Sequence, residues 1–221
     1  MINLEKEIRE QPEVLSRVID LNLNRITEIV EKAKRRGVRH IYFAARGTSD
    51  HACIYGQYLF GIFAGIPCAL GTPSVLTKYG AHIDLSDDLV VGVSQSGRAE
   101  DVLAVLESAK ADGAITVAVT NNENSPMARA AEYHLYCGAG PETSIAATKT
   151  FTSQMMILGT MAAVWAGNDR LISEFRGVSA KVQELFDTKF EEIMSLAKAY
   201  SNIPGAVILG RGVSYCIALE G

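Results

Sequence analysis

Five short runs of apolar, β-branched and aromatic residues recur along this chain, and helical patterns stand between them. The runs are "VRHIYFAA" (38–45), "PCALG" (67–71), "DLVVGVS" (88–94), "AITVAVT" (114–120) and "EYHLYC" (132–137). Each has the length and composition of a strand. Between the first two, Ile54, Tyr55, Tyr58, Leu59 and Ile62 share one helical face, as do Val102, Val105, Leu106 and Ala109 within 100–111. Strands alternating with helices predict a three-layer α/β/α sandwich around a mostly parallel sheet of about five strands, flavodoxin-like or Rossmann-like.

Helical segments flank this core. Residues 1–36 carry Val14, Val18 and Leu21, then Ile26, Ile29, Val30 and Ala33, at helical spacing. Pro12 suits either a first helical turn or a break between two short helices, and Gly37 is a plausible cap. Beyond the strands, Phe151, Met155, Leu158, Ala162 and Trp165 fall at i, i+4, i+7, i+11 and i+14, which marks a long packed helix. Residues 170–200 are helical with interleaved charges, and "IPGAVILG" (203–210) returns to strand character. The expected division is a helical segment 1–36, a core domain 37–166, a helical linker 167–202 packing on that domain, and a separate beginning at 203–221.

The chain has 221 residues, 48% of them hydrophobic, and a net charge of −4. That balance argues against nucleic acid or an anionic membrane as partner. The basic cluster "KAKRR" (32–36) is read as a helix C-terminus, where cations suit the dipole. No apolar run is long enough for a membrane span, and "MINLEKEIREQPE" has no apolar signal region. Cys53, Cys68, Cys137 and Cys216 are scattered, as small buried hydrophobes in a reducing, cytoplasmic setting would be. The four histidines show no paired spacing, so no metal site is expected, and no cofactor either.

Ligands of open parallel sheets bind beyond the carboxyl ends of the strands. Three hydroxyl-rich loops fall there: "ARGTSDHA" (45–52), "SQSGRAED" (94–101) and "GAGPETSIAATKT" (138–150). In the second, Gly97 lets the backbone approach a ligand, and free N–H groups of the next helix favour an anion. Ser94 and Ser96 add hydroxyls and Gln95 an amide, each bond to a charged group being worth on the order of 1.5–3 kcal/mol. Arg98 adds charge or lies on the helix surface, and Ser96 is either a phosphate ligand or a helix N-cap. The glycine patterns of nucleoside triphosphate and dinucleotide sites are absent, as is a nucleophile elbow.

The segments "ARGTSDHA", "GVSQSGRAEDV", "TNNENSPMARAA" and "GAGPETSIAATKTFTSQ" resemble the sugar isomerase (SIS) domain family. More closely, they resemble the isomerase half of glucosamine-6-phosphate synthase and related sugar-phosphate isomerases and deaminases. The resemblance covers nearly the whole chain. It implies a phosphate site made of Gly47, Thr48, Ser49, Ser94, Gln95, Ser96 and Arg98, and a sugar lined by Ser144, Ile145, Ala146 and Ala147. Ala99 stands where the family often has a threonine, so one donor is missing. Arg98 replaces an acidic residue and looks like the deaminase-type branch. The synthase's glutaminase domain is not expected here, so glutamine-dependent synthesis is disfavoured.

"IYFAARGTS" (41–49) and "VILGRGVSY" (207–215) share a strand followed by Arg-Gly-x-Ser. The repeat suggests that 203–221 begins a second such unit; the alternative is a sixth strand of the first sheet. Isomerisation needs a general base tuned towards neutrality. By the resemblance, the glutamate base and its lysine lie just beyond "ALEG". Glu220 resembles an acidic residue close to that site, while Glu142 and Asp50 are either caps or candidate bases. The expected ligand is a small sugar phosphate such as glucosamine 6-phosphate, and the expected assembly a homodimer. Binding without turnover is expected of this stretch, either as part of an isomerase or deaminase or as a module that senses a phosphosugar.

Overall fold

A computed structural model describes residues 3–221. The chain opens with helices α1 (Asn3–Arg9) and α2 (Gln11–Arg35). Pro12 lies in the first turn of α2 and separates it from α1, so both readings of that proline hold together. Arg36 caps α2 and Gly37 follows at φ 74°, the left-handed turn that lets Val38 N–H reach Ala33 O at 3.0 Å. The basic cluster ends this helix: Lys32 pairs with Glu132, and Arg36 donates to the carbonyls of Gly113 and Ser86.

The sheet comprises β1 (Ile41–Ala44), β2 (Cys68–Leu70), β3 (Leu89–Ser94), β4 (Ile115–Thr120) and β5 (Tyr133–Tyr136). All neighbours are parallel, in the order β2-β1-β3-β4-β5. Every residue of β3 and β4 is buried, as expected for strands covered on both faces. Helix α3 (Thr48–Leu59) follows β1, α4 (Ser74–Thr77) precedes β3, α5 (Glu100–Ala111) joins β3 to β4, and α6 (Pro126–Ala130) joins β4 to β5. One core unites α2 and α3 with Phe43, Val91, Val117 and Leu135. The other packs Val102, Leu106 and Met127 against Val90 and Ala118. The result is the three-layer α/β/α sandwich with a five-stranded sheet.

Helix α7 (Lys149–Ala166) packs against both α2 and α3 and is buried nearly all round, more than its apolar stripe predicts. The helical face predicted over 50–64 breaks at Phe60. A single π-turn, Phe60–Ala64, widens the helix there and leaves Ile62 exposed. Helices α8 (Asp169–Arg176) and α9 (Val178–Ala199) follow.

The strand expected at 203–210 does not form. Residues 203–211 pair with no strand among the described residues, and Val207 and Leu209 are exposed. The apolar, β-branched composition is there, but no strand edge lies alongside to receive its backbone groups. A short helix, α10 (Tyr215–Glu220), closes the chain and packs on α3. Burial pushes the Cys53 and Cys137 thiols up and Cys68 to about 12, so these cysteines act as packing groups.

Candidate functional site

In the order β2-β1-β3-β4-β5, strand sequence reverses between β1 and β3. The loops leaving those two strands therefore separate at their carboxyl ends and open a crevice. They carry Gly47, Thr48 and Ser49 on one side and Ser94 to Arg98 on the other. Arg46 ties the two together through Asp101, its Nη1 lying 2.7 Å from Oδ2.

The loop after β3 is a tight turn. Gly97 N–H donates to Ser94 O and to Ser94 Oγ, both at 3.2 Å. Gln95 O accepts from Asn121 N–H at 2.9 Å, and Gly97 O from Met127 N–H at 3.2 Å. Gly97 has φ 64°, and a Cβ there would collide with the Ser125 side chain, its Cβ 2.5 Å away. A glycine is thus required here by α6 packed beneath it. Ser96 is exposed, and its Oγ accepts from Arg98 N–H at 3.3 Å. It is not a cap: the N-cap position of α5 is Ala99. Ser94 is buried, and Gln95 half-buried.

On the β1 side, Gly47 turns at φ 57° into the first turn of α3. Ser49 is buried there, and Thr48 is half-buried. The Thr48 hydroxyl donates to Glu220 Oε1 at 2.8 Å, and Glu220 Oε2 lies 2.7 Å from His51 Nδ1. Asp50, beside them, titrates above its ordinary value because burial disfavours its charge, partly offset by His51 and Arg46.

An open cleft of about 510 Å³ continues from the β3 turn across β4 and β5. Its walls include Gln95, Ser96 and Arg98 on one side and Gly140, Pro141 and Glu142 on the other, with Asn121 between. Asn121 stitches the floor: its Nδ2 donates to Gly140 O at 2.7 Å, and its Oδ1 accepts from Ala139 N–H at 2.9 Å. Asn121 is not among the residues expected from the sequence to form the site. Applying the carboxyl-end rule to β4, as to β1, β3 and β5, would have found it.

Residues Ser144, Ile145, Ala146 and Ala147 lie farther along the third loop, outside this cleft's walls, with Ile145 fully exposed. That loop hangs on carboxylates. Buried Glu7 accepts from the N–H and hydroxyl of Thr143 and from Ser144 N–H. Burial alone would raise the Glu7 carboxyl, but the bonds from Ser144 and Thr143 outweigh it and hold the group below its ordinary value. Glu142 accepts from the N–H and hydroxyl groups of Thr148 and Thr150, and so caps the start of α7. Among the described residues, no three His, Cys, Asp or Glu side chains cluster as metal ligands.

The SIS domain family matches residues 34–164, from the end of α2 to the last turn of α7. The chain belongs to the SIS domain family. It is 36% identical to glutamine–fructose-6-phosphate aminotransferase [isomerizing] of Aquifex aeolicus, over 98% of this chain and 36% of the relative. The corresponding enzyme of Caldanaerobacter subterraneus is 33% identical over 98% of this chain and 38% of its own. This SIS chain thus spans just over a third of the length of these curated relatives. Among solved structures, a candidate phosphosugar isomerase of Silicibacter pomeroyi superposes with a TM-score of 0.90 at 32% identity, covering 100% of this chain and 68% of that one. The C-terminal domain of glucosamine-fructose-6-phosphate aminotransferase from Francisella tularensis gives 0.81 at 26% identity, covering 99% and 65%.

Proposed function

We propose that this SIS domain binds a sugar phosphate, seating the phosphate between the Gly47–Ser49 and Ser94–Arg98 loops and the sugar in the cleft towards 138–147. The observation that carries the reading is the pairing of two donor-bearing loops across the switch point of the sheet. The exposed Ser96 hydroxyl and the Arg98 guanidinium face that cleft without an acceptor or carboxylate partner among the described residues. Anions suit such a site.

The curated relatives' names join fructose 6-phosphate to isomerisation, which supports an amino-sugar or ketose phosphate as ligand. The reaction class we propose for the parent site is aldose–ketose isomerisation, with or without deamination. A cytoplasmic homodimer, not binding nucleic acid, is the proposed setting; no described helix is long and apolar enough to cross a membrane. Of the three acids near the ligand face, Glu142 is spent on four donors and Glu220 on Thr48 and His51. With these two held and Asp50 alone left as a candidate base, we propose binding without turnover by residues 1–221, with a sensing module as the second reading.

Calorimetry tests the binding claim. Fructose 6-phosphate should bind and fructose should bind at least about a hundredfold more weakly, two charged hydrogen bonds being worth roughly 3 kcal/mol or more. Equal affinities would remove the phosphate site.

A further inference from the structure

The chain Thr48–Glu220–His51 joins residues 172 and 169 positions apart, at the one place where the proposed phosphate site meets α10. A threonine hydroxyl has a single proton to donate. In the structure that proton goes to Glu220 Oε1 at 2.8 Å, so a phosphate arriving at Thr48 finds its donor already taken. It also meets a carboxylate one hydrogen bond away, and two anions sharing one donor repel. The imidazole of His51, 2.7 Å from the far oxygen of Glu220, is placed to relieve this. Once protonated, it neutralises the carboxylate, draws it off Thr48 and returns the hydroxyl to the ligand.

We propose that Glu220, steadied by His51, is an internal anion occupying the Thr48 end of the phosphate site, and that phosphosugar binding is coupled to proton uptake by the Glu220–His51 pair. This rests on the phosphosugar reading and adds a role for two residues within it. Glu220 is then a competitor and positioning group, and the proton resides on the pair as carboxylate–imidazolium.

Other titratable groups surround the pair. Helix α3 carries Asp50, Cys53, Tyr55 and Tyr58, and α10 carries Tyr215 and Cys216, with Arg211 ahead of it. The elements packed on α3 add Tyr42 from β1, Cys68 from β2 and Lys149 from α7. Lys149 is paired with Glu10, and Arg46 with Asp101. Burial pushes Cys53 and Cys68 far from neutrality. Among the described residues named here, Asp50 is the competing carboxylate, and the variants below separate it.

The experiment is titration calorimetry of the full chain with fructose 6-phosphate near pH 7.5, where the phosphate is mostly dianionic, in buffers of different ionisation enthalpy. Binding should take up a measurable fraction of a proton, seen as a binding enthalpy that varies with the ionisation enthalpy of the buffer. His51→Gln should bind with no uptake. Glu220→Gln should also show none, and should bind several-fold tighter than wild type, since the competing charge is gone. Wild-type binding without proton uptake overturns the inference while leaving the phosphate site standing, and it does so even if a variant fails to fold. Undiminished uptake by His51→Gln or Glu220→Gln overturns it too, and points to Asp50. A wild-type chain that binds no fructose 6-phosphate removes the site reading, and this inference with it.

Discussion

The turn at Ser94–Arg98 is held by backbone bonds to the sheet's own neighbours, whereas the loop at 138–148 hangs on side chains brought from elsewhere. In the turn, Gln95 and Gly97 offer carbonyls to Asn121 and Met127, and Gly97 is pressed onto Ser125. In the loop, Glu7 reaches across 136 positions to Thr143, Arg17 donates to Gly138 O at 3.0 Å, and Glu142 binds back on Thr148 and Thr150. Backbone bonds depend little on pH, and a carboxylate tether depends on it strongly. The turn is therefore expected to keep its shape across pH while the loop at 138–148 adjusts.

The sharpest way to break the comparison is to place a methyl group in each region. Gly97→Ala adds a left-handed strain and a collision with Ser125, and should cost about 3 kcal/mol in urea denaturation. Gly140→Ala has φ 66° with nothing within 4 Å of the added carbon, so only the backbone strain of roughly 1 kcal/mol is expected. Equal costs would mean that the turn is no more tightly packed than the loop.

Ser96→Ala should come next in size. It removes an exposed hydroxyl that caps no helix, so melting should shift by less than about two degrees. Affinity for fructose 6-phosphate should fall roughly tenfold, the value of a charged hydrogen bond. A large melting shift with unchanged affinity would return Ser96 to a structural role.

The turn was readable in advance because its determinants are local. Apolar strand, hydroxyls, glycine and helix stand within thirteen residues, and the carboxyl-end rule places them. The five strands were readable for the same reason, each being a β-branched run between helical patterns. Other features rest on partners that no window of sequence contains. Glu7 on Thr143, Asn22 on the backbone of Tyr136, and Glu220 on Thr48 are contacts of 114 to 172 positions. The packing of Gly97 on Ser125 was not legible for the same reason, Ser125 being remote in sequence. The strand at 203–210 was misread because composition reports what a segment favours and not whether a neighbour awaits it.

The smallest effect concerns acid. Glu7 titrates below its ordinary value of 4.5 in the folded chain. Its stabilising contribution is therefore complete above the unfolded value and is lost as pH falls through the folded one. Protection of the Thr143 and Ser144 amides from hydrogen exchange should drop in that acid window, while protection of Asn121 and Met127 persists. Glu7→Gln should lower Thr143 and Ser144 protection near neutral pH by about 1 kcal/mol and abolish the acid-dependent step. Acid loss of protection in both regions at once would erase the distinction between them.

The central claim is the location of the phosphate, and a crystal structure of the chain with fructose 6-phosphate tests it most directly. Phosphorus is expected between the Ser96 and Thr48 loops, within hydrogen-bonding reach of Ser96 Oγ, with the sugar extending over Asn121 towards Gly140. Phosphate density elsewhere would contradict it, whether against Ser144–Ala147 alone or in the apolar gap between Leu15, Tyr55, Met155 and Phe175.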